Sequence, residues 1–151
     1  MIRTAVAADL PELQRVYRAA SLSNEGDAPL LLASPGFLAF PGDAIAAGGT
    51  RVEVDVPGDC VVGFATVVVD EHGDLQLDDL FVDPDRRRRG TARRLVLDAV
   101  TRARGGGHGG LFVIANPHAA AFYDAAGFVD VGPADTELGT GRRMRLAIDR
   151  S

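Results

Sequence analysis

The segment with the clearest capacity for chemistry runs from Leu75 to Arg94 and reads LQLDDLFVDPDRRRRGTARR. An apolar strand pattern ends near Val82, four arginines follow, and Gly90 precedes a helical pattern. The first-turn amides of a helix have no intrahelical acceptor, and the helix dipole adds partial positive charge there. A strand that leads through such a turn into a helix is suited to bind phosphates.

The arginines favour this interpretation because of where they stand. Cations at a helix N-terminus are unfavourable unless an anion is bound there. Gly90 and Ala92 are small, so a ligand can approach the backbone closely. An arginine run in general is a solvated basic turn, but its position immediately before a helix favours a phosphate site.

Two common nucleotide motifs are excluded. The P-loop requires Gly-Lys-Ser/Thr, and the chain contains no lysine. The dinucleotide pattern GxGxxG is absent from the turn, and the glycines between positions 105 and 110 follow a helix rather than a strand. These glycines are typical of a helix end.

The overall charge argues against nucleic acid as a partner. The 151 residues carry a net charge of −5, so any site for a polyanion must be local. The local exception, Arg86–Arg94, lacks the interleaved aromatic residues of a nucleic-acid-binding module. No apolar run is long enough to cross a bilayer, and the single cysteine, Cys60, fits a reducing compartment. We therefore expect a cytoplasmic protein that binds neither nucleic acid nor membrane.

No metal site is expected. The histidines at positions 72, 108 and 118 show no spacing typical of metal ligands. Cys60 has no evident partner and is better interpreted as a small apolar residue than as a nucleophile.

Hydrophobic periodicity predicts the elements that position this turn. They are a strand at 2–6, a helix capped by Asp9, short helical pieces over 30–40, an antiparallel meander of three strands over 50–82, a helix at 90–104, a strand at 111–115, a helix from Pro117 to Gly127, and strands at 128–131 and 143–148. The helix between two strands makes 75–82 and 111–115 parallel. We expect one domain over residues 1–151, with an α+β fold of the three-layer α/β/α type. Its central sheet is mixed and mostly antiparallel, with a parallel central strand pair and helices on both faces.

Two motifs resemble the Gcn5-related N-acetyltransferase (GNAT) family. Motif A of that family is a strand, then Arg/Gln-x-x-Gly-x-Gly/Ala, then a helix, and residues 87–92, RRRGTA, match it. Motif B is N-x-x-A-x-x-F-Y-x-x-x-G-F, and it is similar to residues 116–128, NPHAAAFYDAAGF. The resemblance is strong over residues 60–131 and elsewhere rests on element order.

The resemblance implies a cofactor site for acetyl-CoA. In the family, amides of the turn hold the pyrophosphate, and main-chain groups at the end of the preceding strand bond the pantetheine arm and the acetyl carbonyl. The cofactor-binding residues implied here are Leu80, Phe81, Val82, Arg87, Arg88, Arg89, Gly90, Thr91, Ala92, Arg93, Asn116, Phe122 and Tyr123. Asn116 is equally suited to cap the following helix, and Phe122 to pack in the core.

Tyr123 is the candidate general acid. Amine attack on a thioester expels a thiolate, and a phenol held near the sulfur can protonate it. The family commonly uses the tyrosine of motif B in this role. The alternative is a tyrosine whose hydroxyl only bonds the backbone.

Asp78 and Asp79 are the candidates for the general base. A carboxylate inside a central strand is costly unless it is used or paired, and alternation places the two acids on opposite faces. Asp78 is the first choice because some family members carry an acid there, and Gln76 occupies the other family position for the base. The alternatives are that both acids select a cationic substrate, or that a water chain carries the proton.

The expected function is therefore an acetyl-CoA-dependent N-acetyltransferase that acts by direct attack of a primary amine. The acceptor, a small molecule or a protein, is left open. Glu25 and Asp27 are candidates for its pocket, with a polar helix break and cap as the alternative. A non-catalytic acyl-CoA-binding or regulatory module on the same fold is the second hypothesis. Family members often form homodimers through their C-terminal strands. The resemblance therefore points to Arg143–Ile148 as the sheet edge through which this chain would dimerise.

Overall fold

The computed structural model describes residues 1–23, 28–33, 40–55, 60–136 and 139–148. The strands in these ranges are β1 (Ile2–Thr4), β2 (Thr50–Val54), β3 (Val61–Val69), β4 (Leu75–Val82), β5 (Gly110–Ala115), β6 (Val129–Thr136) and β7 (Gly139–Ala147). The helices are α1 (Leu10–Leu22), α2 (Ala28–Ala33), α3 (Asp43–Ala46), α4 (Thr91–Gly105) and α5 (Ala120–Ala125). Glu25 and Asp27 lie outside the described residues.

The strands form one mixed sheet in the order β1-β2-β3-β4-β5-β7-β6. β4 and β5 are parallel, with Leu75 opposite Leu111. The pairs β1–β2, β2–β3, β5–β7 and β6–β7 are antiparallel. The predicted fold class, including its parallel strand pair, is confirmed.

The C-terminal strands differ from the prediction. β6 continues through Gly132 and Pro133, where a register shift between Asp130 and Gly132 marks a bulge. Proline lacks an N–H and is tolerated on an edge strand, which β6 is. The predicted edge at Arg143–Ile148 is wrong, because β7 pairs with β5 on one side and β6 on the other.

Contacts within the chain group its residues into two compact units. The first contains Met1–Thr66 and Asp79–Leu95, and the second contains Val67–Asp78 and Val96–Ser151. In the first unit, buried residues of α1, β2 and β3 form the core, with Leu13, Val16 and Phe64 fully buried. In the second, Leu111, Phe128 and Met144 are among the buried residues.

Two acids of the first unit, Asp9 and Glu53, are buried, and Asp9 has a different role from the predicted helix cap. Asp9 does not cap α1 with its side chain. It instead accepts two hydrogen bonds from Arg3, at 2.8 and 2.9 Å, and one from the amide of Val6 at 2.8 Å. On β2, Glu53 is buried together with its neighbours Val52 and Val54. Because these consecutive side chains point to alternate faces, both faces of β2 are covered at this position.

Candidate functional site

The turn between β4 and α4 has an unusual backbone. Arg87 is extended, whereas Arg88 and Gly90 adopt left-handed conformations with φ of 64° and 78°. Among the residues that the structure describes, Arg88 is the only non-glycine residue with a positive φ. Successive amides in turns that include left-handed residues form concave anion sites. The backbone therefore has the shape expected of a phosphate cradle.

The amides of this turn are available to a ligand. In the described part of the chain, no backbone N–H from Arg87 to Arg93 donates to a protein acceptor, and the helix bonds resume with Arg94 N–H to Gly90 O at 3.0 Å. Gly90 is exposed and carries no side chain that would shield the amides. The turn thus offers several unpaired donors at the positive end of a 15-residue helix.

The arginines of this segment divide into two groups. Arg86 pairs with Asp55 at 2.5 Å, Arg94 pairs with Glu53, and Arg87 donates to the hydroxyl of Ser23. Arg88, Arg89 and Arg93 are exposed, and no ion pair within the described ranges engages them. Three of the residues assigned to the cofactor therefore keep free guanidinium groups beside the unpaired amides.

Glu53 is a site residue that the sequence did not reveal. Its carboxylate accepts from the Thr91 hydroxyl at 2.8 Å and from Arg94 Nε and Nη2 at 2.5 and 2.9 Å. Arg94 Nη1 also donates to the carbonyl oxygen of Arg89 at 2.7 Å. The Arg94 guanidinium holds the pKa of Glu53 below its usual range despite the opposing effect of burial. We call these contacts the Glu53 network.

Gly63 of β3 lets the first turn of α4 approach the sheet. A Cβ atom at this position would lie 2.9 Å from Thr91 Cγ2 and 3.0 Å from the carbonyl oxygen of Phe81. Any side chain here would therefore push apart the strand end and the helix start. The glycine thereby positions the turn from Arg87 to Arg93, which we call the phosphate turn, relative to the end of β4.

The end of β4 is less buried than its beginning. Leu75 and Leu77 are buried, but Asp78 is exposed and the four residues from Asp79 to Val82 are half-buried. Phe81 packs edge-on against Tyr17, with ring centroids 4.8 Å apart. The desolvation argument for a catalytic acid therefore does not apply to Asp78, and applies only partly to Asp79.

The start of motif B forms a turn before α5, in the second unit, and the Asn116 side chain does not cap the helix itself. The Asn116 side-chain oxygen accepts from the Ala119 amide at 2.9 Å, and the Asn116 carbonyl accepts from the amides of Ala119 and Ala120. These turns delay α5 to Ala120, later than the predicted start at Pro117. The Asn116 side chain is exposed, and its NH2 group remains a donor for a ligand.

Tyr123 is buried in the second unit. Its ring packs edge-on against Phe122 and Phe128, with centroids 5.2 and 5.3 Å apart. Among the described residues none hydrogen-bonds its hydroxyl, so the alternative of a backbone-bonded tyrosine has no support there. Burial raises the pKa of Tyr123, which keeps the proton on the phenol at neutral pH.

The predicted site residues fall in both units. Asp79 and the residues of the strand end and phosphate turn belong to the first, while Asp78, Asn116, Phe122 and Tyr123 belong to the second. Over the described ranges, no cluster of three or more His, Cys, Asp or Glu is placed to hold a metal ion. No helix there has the length and apolar character of a membrane span.

The sheet and the strand–turn–helix cradle define the class of acyl-CoA N-acyltransferase folds. The chain belongs to the Acetyltransferase (GNAT) family, whose model matches residues 12–128. The resemblance found in the two motifs is confirmed, and so is the prediction of an N-acetyltransferase enzyme. No curated protein sequence matches the chain significantly.

Solved structures with the same fold have low sequence identity to this chain. A GCN5-related N-acetyltransferase from Rhodopseudomonas palustris is 20% identical, with a TM-score of 0.75 over 98% of this chain and 95% of the other. The PaiA N-acetyltransferase of Thermoplasma acidophilum, in complex with coenzyme A, is 16% identical, with a TM-score of 0.72 and coverage of 97% and 98%. The ribosomal-protein-S18-alanine N-acetyltransferase of Escherichia coli is 19% identical, with a TM-score of 0.70 and coverage of 100% and 95%.

Proposed function

We propose that this chain transfers the acetyl group of acetyl-CoA to a primary amine, on a small molecule or a protein, by direct attack. The observation that carries the proposal is the turn from Arg87 to Arg93, where a run of unpaired amides meets two left-handed residues and a helix N-terminus. Such a turn fits a pyrophosphate group. Family membership supplies the acetyltransferase chemistry.

The residues of motif A bind the cofactor in this proposal. Amides of the turn hold the pyrophosphate, and the exposed guanidinium groups of Arg88, Arg89 and Arg93 add positive charge. Main-chain groups at Leu80, Phe81 and Val82 bond the pantetheine arm and polarise the acetyl carbonyl. The Asn116 NH2 group and the Phe122 ring provide further cofactor contacts.

Proton transfer is assigned to side chains of this chain. When bound, acetyl-CoA supplies the acetyl group as a thioester. Asp78 or Asp79 takes a proton from the acceptor nitrogen as the C–N bond forms. Tyr123 gives its proton to the sulfur as the C–S bond breaks, so the products are the amide and free coenzyme A.

An acceptor screen tests the proposed activity. The protein is incubated with acetyl-CoA and a panel of amines that includes polyamines, amino acids, aminoglycosides and peptides with free N-termini, and released thiol is measured. We expect acceptor-dependent release with at least one class. Tight binding of coenzyme A without thiol release from any acceptor would instead favour the non-catalytic binding module.

The remaining expectations concern setting and assembly. A cytoplasmic location, one domain over residues 1–151 and a homodimer stay predictions. If a dimer forms through a strand edge on the C-terminal side, β6 is the strand that offers one. Equilibrium sedimentation tests the dimer, and a monomer at micromolar concentration would remove it.

A further inference from the structure

The phosphate turn is supported by a contact from a distant strand. Glu53 lies on β2, and through Arg94 and Thr91 it reaches the turn at two points, the Arg89 carbonyl and the first residue of α4. All of these residues belong to the first unit. The Glu53 network therefore brackets Gly90 on both sides.

The conformation of the turn makes such support necessary. A non-glycine residue in the left-handed region, here Arg88, costs about 1–2 kcal/mol. The amides that would hold an anion also have no protein acceptors of their own in the described structure. A turn with a strained residue and unpaired donors keeps one shape only when its surroundings fix it.

Neighbouring ion pairs do not reach the same atoms. Arg15 pairs with Asp83 at 2.8 Å, before the turn, and Arg86 pairs with Asp55 at 2.5 Å. In the described part of the chain, the side-chain hydrogen bonds to the turn between Arg89 and Thr91 come from Arg94 and Glu53.

We infer that Glu53 is a positioning residue for the pyrophosphate of the cofactor, acting through Arg94 and Thr91 to preset the amides of the turn. This inference rests on the proposed function, because it assumes that the turn binds coenzyme A. The Glu53 carboxylate is 6% exposed and is engaged by three donors, so in this inference it acts through its partners. Its effect is on the shape of the cradle before binding.

The chain offers a matched control in Asp9. Like Glu53, Asp9 is a buried acid of the first unit. Its carboxylate accepts a bidentate pair of hydrogen bonds from one arginine and one further hydrogen bond from a backbone amide. Its partners, Arg3 and Val6, have no part in the phosphate turn. Glu53→Gln and Asp9→Asn therefore remove the same kind of charge from the same unit, and only the first disturbs the turn.

The experiment measures coenzyme A affinity by titration calorimetry for wild type, Glu53→Gln and Asp9→Asn, at a temperature where thermal melts show each to be folded. We expect Glu53→Gln to bind about tenfold more weakly, which corresponds to ~1.4 kcal/mol. Asp9→Asn should bind within about twofold of wild type, since a folded protein that has merely lost stability keeps its affinity.

Each outcome has a distinct meaning. Equal affinity of Glu53→Gln and wild type would overturn the positioning role and leave the proposed function intact. Equal weakening in both variants would also overturn it, because the effect would then follow loss of any buried ion pair. If wild type itself fails to bind coenzyme A, the proposed function fails and the inference falls with it.

A second variant keeps the test decisive if Glu53→Gln does not fold. Arg94→Lys retains a cation beside Glu53 but lacks the planar fork that joins Glu53 and the Arg89 carbonyl at once. We expect it to weaken coenzyme A binding several-fold, while wild-type affinity in this variant would contradict the inference.

Discussion

At the scale of single residues, Tyr123 carries the most specific chemical prediction. Its ring is buried, none of the described residues bonds its hydroxyl, and its raised pKa keeps the proton in place. The phenol therefore holds the proton that a leaving thiolate would take, although its raised pKa makes it a weaker acid than free tyrosine. The raised pKa also means that ionisation of Tyr123 should not limit the wild-type rate below about pH 10.

Tyr123→Phe should lower kcat about a hundredfold, at the low end of what a general acid contributes. Its affinity for coenzyme A should change by less than about twofold, because only the hydroxyl is lost. Steady-state kinetics with calorimetry check both values. An unchanged kcat would remove Tyr123 from the mechanism.

A pair of substitutions distinguishes whether Asp78 or Asp79 acts as the general base. We expect Asp78→Asn to lower kcat about a hundredfold, since the amide cannot take a proton from the acceptor nitrogen. Asp79→Asn is the adjacent control with the same change of charge. The reverse pattern would transfer the role to Asp79, and an unchanged kcat in both variants would leave a water chain as the base.

At the scale of elements, the sequence was most informative where the relevant residues are close along the chain. The strand Leu75–Val82, the arginine turn and the following helix are consecutive, so periodicity and helix-terminus chemistry were enough to predict them. Motif B was found for the same reason.

Long-range pairing explains what the sequence did not reveal. Glu53 and Arg94 are 41 positions apart, and their contact depends on how β2 and α4 pack. A buried acid needs a use or a partner, and the sequence directs this expectation to Asp78 and Asp79. The structure shows such an acid at Glu53, which is buried on β2 and engaged by Thr91 and Arg94.

The phosphate turn itself yields a stability prediction. Gly90→Ala should destabilise the fold by about 1–2 kcal/mol, because alanine at a φ of 78° is strained. For a chain of this length that lowers Tm by about 2–8 °C.

Arg88→Gly is the matched control for that change. It relieves a left-handed arginine but adds freedom to the unfolded chain, so the two effects offset and the stability change should stay below about 1 kcal/mol. Thermal melts compare the two variants. Equal destabilisation by both would show that the backbone conformation is not what sets the stability of the turn.

At the scale of the whole molecule, the boundaries between the two compact units fall, in sequence, inside helices and strands. The unit boundaries fall within β3, β4 and α4, at positions 66/67, 78/79 and 95/96. A domain boundary is normally an exposed linker, and none of these positions is one. One domain over residues 1–151 stays a prediction.

A single domain should unfold in one cooperative transition. Differential scanning calorimetry should give one peak whose calorimetric and van't Hoff enthalpies agree. Two resolved transitions, or an intermediate populated in denaturant, would show that the two units fold separately.

The central claim is that this chain moves an acetyl group from a thioester to an amine. The most direct test uses acetyl-CoA with an isotopically labelled acetyl group, together with an acceptor found in the screen, and follows the label by mass spectrometry. The account predicts that the label appears as an N-acetyl group on the acceptor in the same amount as free thiol. Label recovered as acetate, or label that stays on coenzyme A with every acceptor, would contradict it.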